Sequence, residues 1–150
     1  MKKLVFSFVL MIFLAGSLYS QQFSNYLVLD AEVESSSVVK LKIKTFCRNK
    51  KYVDAEAQCV AIKTVLFNGI PNTQYKKPLL DEGEYTSYDE HPVYFENLFT
   101  YRFFDFIQSY RMLSKFRKAN DKSTVYEVKV KIIQLRKDLE KNNIRRNIGL

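Results

Sequence analysis

Tryptophan is absent from this 150-residue chain, glycine occurs four times, proline three times, cysteine twice and histidine once. Four scattered glycines supply no glycine-rich phosphate-binding loop. One histidine and two cysteines fall short of the four ligands of a structural zinc site. The histidine, His91, stands between Glu90 and Pro92 with no positioned nucleophile beside it, so it reads as a cap or surface residue and not as part of a triad. The acids Asp81, Glu82, Glu84, Asp89 and Glu90 are the one concentration of carboxylates a paired-carboxylate glycosidase would draw on, and their crowding into one segment reads as a solvated charge run. The chain is therefore expected to be non-enzymatic, with no catalytic residue, cofactor or metal. A hydrolase ranks third among its readings.

Long apolar runs are confined to the first fifteen residues. Lys2 and Lys3 precede the run from Leu4 to Ala15, and the small residues Gly16 and Ser17 follow, which is the basic, apolar and small-residue order of a secretory signal peptide. An apolar core of about a dozen residues is short of the ~20 that cross a bilayer, so cleavage near Ser20 is expected, with no transmembrane segment afterwards. Leu14-Ala15-Gly16-Ser17 has the form of a lipoprotein box with serine where the acylated cysteine would stand, so a lipid anchor is not expected. Residues 1–20 are read as a signal peptide and 21–150 as a single α+β domain, periplasmic or secreted. Cleavage removes two lysines and no acid, which lowers the formal charge from +8 to +6.

The remaining length suffices for one hydrophobic core, and abundant Phe and Tyr argue against disorder. In an oxidising compartment Cys47 and Cys59 can pair, closing a loop worth about 3 kcal/mol in the chain-entropy model. Two buried, reduced thiols are the alternative.

Periodicity divides the chain. Leu27, Leu29, Ala31 and Val33 alternate as one side of a strand, and Val39, Leu41 and Ile43 alternate against Lys40, Lys42 and Lys44, giving a hairpin about the serine turn at 35–37. Val53, Ala57, Val60, Ala61 and Thr64 recur at helical spacing, with Asn68-Gly69 as a glycine cap and Pro71 beyond. Residues 70–88 read as a long loop, and loops of that length are often functional or mobile. From Asp89-Glu90-His91-Pro92 a helix starts with an aromatic stripe, Phe95, Leu98, Phe99, Phe103, Phe106 and Ile107, which reads as core. A second hairpin joins 110–118 to Thr124–Ile132, and a short helix covers about Leu135 to Asn142. The expected fold is a mainly antiparallel sheet of about four strands with two longer helices and a short C-terminal helix on one face.

The other face of such a sheet would collect Lys40, Lys42, Lys44, Arg111, Lys115, Arg117, Lys129 and Lys131 against one carboxylate, Glu127. A face of that sign attracts anions over about 8–10 Å at ordinary salt. The expected partner is an envelope protein or an anionic envelope polymer. Nucleic acid is disfavoured, because no aromatics interleave with the cations for stacking. Lysines that merely solubilise an exposed sheet are the bland alternative.

The run Asn49 to Ala57, continuing through Ala61-Ile62-Lys63-Thr64-Val65-Leu66-Phe67-Asn68-Gly69-Ile70-Pro71, resembles a family of uncharacterised exported proteins of Gram-negative anaerobes, in which a strand leads into an alanine-spaced helix and a Leu-Phe-x-Gly-Ile-Pro corner. Tyr94-Phe95 and the segment Leu135 to Ile144 extend the likeness over most of 38–144. Asn72 departs from it where a glycine often follows the proline. More remotely, the strand and alanine-rich helix are similar to the N-terminal domain of flagellar assembly protein T and to small envelope lipoproteins. The resemblance implies an α+β envelope domain that acts by association. A carrier of a small ligand or anionic polymer, using the basic face or the aromatic helix, is the second reading.

Overall fold

Alternating apolar and charged residues build strands where one side can be buried, and four such segments pair in the structure, a computed structural model that describes residues 26–46, 51–114 and 123–145. The strands are β1 (Tyr26–Ser35), β2 (Val38–Thr45), β3 (Ile107–Met112) and β4 (Thr124–Lys131). They lie in the order β1-β2-β4-β3, and every neighbouring pair is antiparallel. Two hairpins thus stand side by side with their inner strands paired. Each inner strand is followed in the chain by a helix: α1 (Val53–Lys63) after β2, and α4 (Ile132–Lys141) after β4. The fold is α+β, with an antiparallel four-stranded sheet.

The core lies on one side of the sheet. Val39, Leu41 and Ile43 from β2 and Tyr126, Val128 and Val130 from β4 are fully buried beneath α1. Helix α1 is buried on nearly all sides from Ala57 to Lys63, as a helix without a polar face must be. Its far side is covered by α2 (Glu84–Glu90), α3 (Pro92–Asn97) and the turns that continue α3, a π-helical Leu98–Arg102 and a 3-10 Phe103–Phe106. The aromatic stripe fills this layer. Phe95 meets Tyr88 at 5.0 Å, Tyr94 at 5.1 Å and Phe67 at 5.9 Å, centroid to centroid.

Three expectations change. Strand β1 does not hold Leu27, Leu29, Ala31 and Val33 on one side, because bulges at Leu29 and Glu34 shift its register. Leu27 stands opposite Lys44 on the outer face, whereas Val28, Ala31 and Val33 stand opposite Ile43, Leu41 and Val39 on the inner one. Bulges of this kind also blunt an edge strand against unwanted pairing.

The segment 70–88 is not one solvated loop. Ile70, Leu79 and Leu80 are buried, and the amides of Leu79 and Leu80 donate to the carbonyls of Val65 and Leu66 at 3.1 and 3.0 Å. From Glu84 the segment is helical. Gly69 lets this corner close: it has φ +69°, and a Cβ there would lie 2.3 Å from the carbonyl oxygen of Lys76. Only glycine adopts that geometry without strain.

The helix expected to start at Asp89 is two helices meeting at His91. The His91 amide donates to Ser87 at the end of α2, and its carbonyl accepts from Phe95 in α3, with Pro92 in the first turn. The single histidine is a cap on both sides.

Candidate functional site

Six of the eight predicted cations lie among the described residues, and the structure brings all six to the strands. Lys40, Lys42 and Lys44 project from β2, Lys129 and Lys131 from β4 and Arg111 from β3, at positions alternate to the buried ones. Lys115 and Arg117 lie outside the described residues. The outer face is therefore cation-bearing across three strands, as its alternation predicts.

Its charge balance is different from the expected one. The register shifts of β1 bring Asp30 and Glu32 opposite Lys42 and Lys40, and the bulged Glu34 reaches across to β4. Lys40 Nζ lies 2.5 Å from Glu32, Lys129 Nζ 2.5 Å from Glu34 and Arg111 Nη2 3.1 Å from Glu127. Glu127 is thus not the single carboxylate of this face: the row Asp30, Lys42, Glu127 and Arg111 alternates in sign across the four strands, and the next row sets Glu32 beside the adjacent Lys40 and Lys129. Register explains the arrangement. Lys40 and Lys129 are directly opposed across β2 and β4, a like-charge pair that destabilises a sheet unless each has its own counter-ion. The hydrogen bond that its ammonium donates to Glu32 raises the Lys40 pKa above its ordinary value. These pairs are at least partly exposed and individually worth little to stability.

A second concentration of polar groups sits where α3 and its continuing turns meet α4. Asp138 accepts from Tyr94 Oη at 2.8 Å and from Arg102 Nη2 at 2.6 Å, and Arg102 Nε lies 3.8 Å from Asp105. Burial and the Asp138 bond hold the Tyr94 phenol well above its usual range, and the same carboxylate raises Arg102. Open grooves of about 500 Å³ lie on either side of Arg102, one bordered by His91 and Asn142 and the other by Lys131, Lys137 and Lys141.

The third site was invisible to the sequence reading. Lys63, 5% exposed, ends α1 inside the aromatic layer. Its ammonium pairs with the Glu84 carboxylate and lies 5.3 Å from the Phe99 ring centre and 5.7 Å from that of Tyr88. Burial lowers its pKa against the opposing pull of Glu84, and burial raises Tyr88. The sequence signal was a lysine interrupting an otherwise apolar run, Val60-Ala61-Ile62-Lys63-Thr64-Val65-Leu66. Its neighbour one turn earlier, Cys59, is a free, buried thiol whose Sγ donates to the Phe99 carbonyl at 3.6 Å, and burial pushes it up to about 12. Cys47, its suggested disulfide partner, lies outside the described residues.

Of the acids weighed for hydrolysis, Glu84 is committed to Lys63. Among the described residues no three of His, Cys, Asp and Glu gather as metal ligands. No helix among them is long and apolar enough to cross a membrane.

These features define a class: an α+β domain with a charged sheet face opposite its described helices and a lysine-lined groove along its last described helix. No family model, no curated protein and no solved structure matches the chain.

Proposed function

We propose that this chain is a non-enzymatic protein of the cell envelope, periplasmic after removal of residues 1–20, that acts by association with another envelope component. The observation that carries the reading is the outer sheet face. Among the described residues the helices pack on its other side, and it carries cations on three strands and the acids of β1 in a fixed register. Such a pattern gives specificity and orientation toward a complementary protein surface more than raw affinity.

Affinity capture from solubilised envelope fractions tests the proposal, with wild type beside a K42E/R111E variant and a variant altered on the far side, Y85A/V93A. A discrete stoichiometric protein retained by wild type and Y85A/V93A and lost from K42E/R111E is the expected result. Equal retention by all three, or no stoichiometric partner, contradicts it.

A second reading, a carrier of a small anionic ligand, draws on the groove beside Arg102, where Lys131, Lys137 and Lys141 form no ion pair among the described residues.

A further inference from the structure

Lys40, Lys63, Lys129, Arg111 and Arg136 each have a carboxylate within 3.1 Å. The groove on the α4 side of Arg102 gathers cations differently. Lys131, at the end of β4, and Lys137 and Lys141, one turn apart on α4, line the same space of about 500 Å³. The two carboxylates that share it, Asp105 and Asp138, are both engaged by Arg102. Among the described residues none of the three lysines forms an ion pair.

Like charges four residues apart on a helix destabilise it by a few tenths of a kcal/mol, and Lys131 adds a third charge to the same space. An anion entering the groove would offset this repulsion. Gln134 lines the groove between the lysines and offers an amide donor, and the ring of Phe104, 58% exposed, forms part of the wall.

We infer that this groove binds a phosphate or diphosphate group through Lys131, Lys137 and Lys141, with Phe104 against the less polar part of the molecule that bears it. Ammonium donors to phosphate oxygens are charge-assisted and among the stronger hydrogen bonds. The site is separate from the outer-face pairs and does not depend on the association reading. Its phosphate can belong to a soluble ester or to a lipid headgroup, since both present the same oxygens.

The test is calorimetric titration with pyrophosphate, and in parallel co-sedimentation with phosphatidylglycerol/phosphatidylcholine vesicles against phosphatidylcholine alone. Wild type is compared with K131Q/K137Q/K141Q and with the outer-face control K40Q/K42Q/K44Q. Saturable binding that weakens about tenfold or more in the groove variant and is kept by the control is the expected result. Seen with pyrophosphate, it assigns a soluble phosphate. Seen only with anionic vesicles, it assigns a headgroup. Because the substitutions relieve repulsion, the groove variant should melt no lower than wild type. Binding that the groove substitutions leave unchanged, binding lost only in the outer-face control, or no binding in either assay overturns the inference.

Discussion

Lys63 at the end of α1 holds Glu84 at the start of α2, and it does so from beside the stacked rings of Tyr88 and Phe99. One buried ammonium thereby ties the central helix to the segment that closes over it. The two ends of the pair are unequal, the lysine side chain being 7% exposed and the glutamate 42%.

Glu84→Gln leaves the ammonium buried without its counter-charge and should cost about 1–2 kcal/mol, below the 3–5 of a fully buried pair because water reaches the glutamate side. Lys63→Met removes the charge, keeps most of the volume and should lie within about 1 kcal/mol of wild type. The pH dependence separates the two effects. Folded Lys63 binds its proton less tightly than the unfolded side chain with its ordinary value of 10.5. Between the folded value and 10.5 the unfolded chain holds more protons, so stability rises with pH there. Urea unfolding of wild type and Lys63→Met across the alkaline range should show wild type gaining on the variant up to that point. A difference that is flat or shrinks would contradict the burial.

Gly69→Ala should destabilise by about 1–3 kcal/mol, since a Cβ would meet the Lys76 carbonyl oxygen at 2.3 Å in a left-handed conformation. Gly83→Ala is the matched control, because open space surrounds that position. Thermal melts of the two variants check the pair, and equal losses would place the constraint elsewhere.

Thr45 and Thr124 face each other across β2 and β4, fully buried, and neither hydroxyl has a hydrogen-bond partner. An unsatisfied buried hydroxyl costs about 1–3 kcal/mol. The near-isosteric double change Thr45→Val with Thr124→Val should therefore raise stability by about 1 kcal/mol or more in denaturant unfolding. A loss would mean that the hydroxyls are satisfied.

Cys59 should resist alkylation by iodoacetamide at pH 8 in the native protein and react once urea unfolds it, because the thiolate is the nucleophile and this thiol is pushed up to about 12. Peptide mass spectrometry resolves Cys59 from Cys47. Rapid native labelling of Cys59 would contradict its burial.

Strands β2 and β4 were legible because Val39-Lys40-Leu41-Lys42-Ile43 and Val128-Lys129-Val130 alternate without a break. The stop was legible because Gly69 follows Asn68, the last residue of the π-helical turn Thr64–Asn68 that continues α1. The bulges at Leu29 and Glu34 were not: Leu27-Val28-Leu29 is apolar throughout, so the position that slips leaves no mark in the pattern. The acids of β1 alternate with Ala31 and Val33 and so share the outer face with the lysines, but which lysine each one faces is set by the bulges. Lys63 was missed for a different reason. A lysine on a helix reads as solvent-facing until a second layer covers that side, and the polar, proline-bearing composition of 70–88 gives no sign that Glu84 and Tyr88 close over it. The groove lysines on α4 looked like an ordinary polar face, and only the engagement of Asp105 and Asp138 by Arg102 sets them apart.

Association through the outer sheet face is tested most directly by site-specific photo-crosslinking in the envelope of the producing cell. A photoreactive side chain is placed at Lys42 or Ser109 on the sheet face, or at Tyr85 or Val93 on the helical side. A discrete adduct of one mass from the sheet-face positions, absent from the helical ones, is the result predicted. Adducts from the helical positions alone, or none from Lys42 and Ser109, would contradict it.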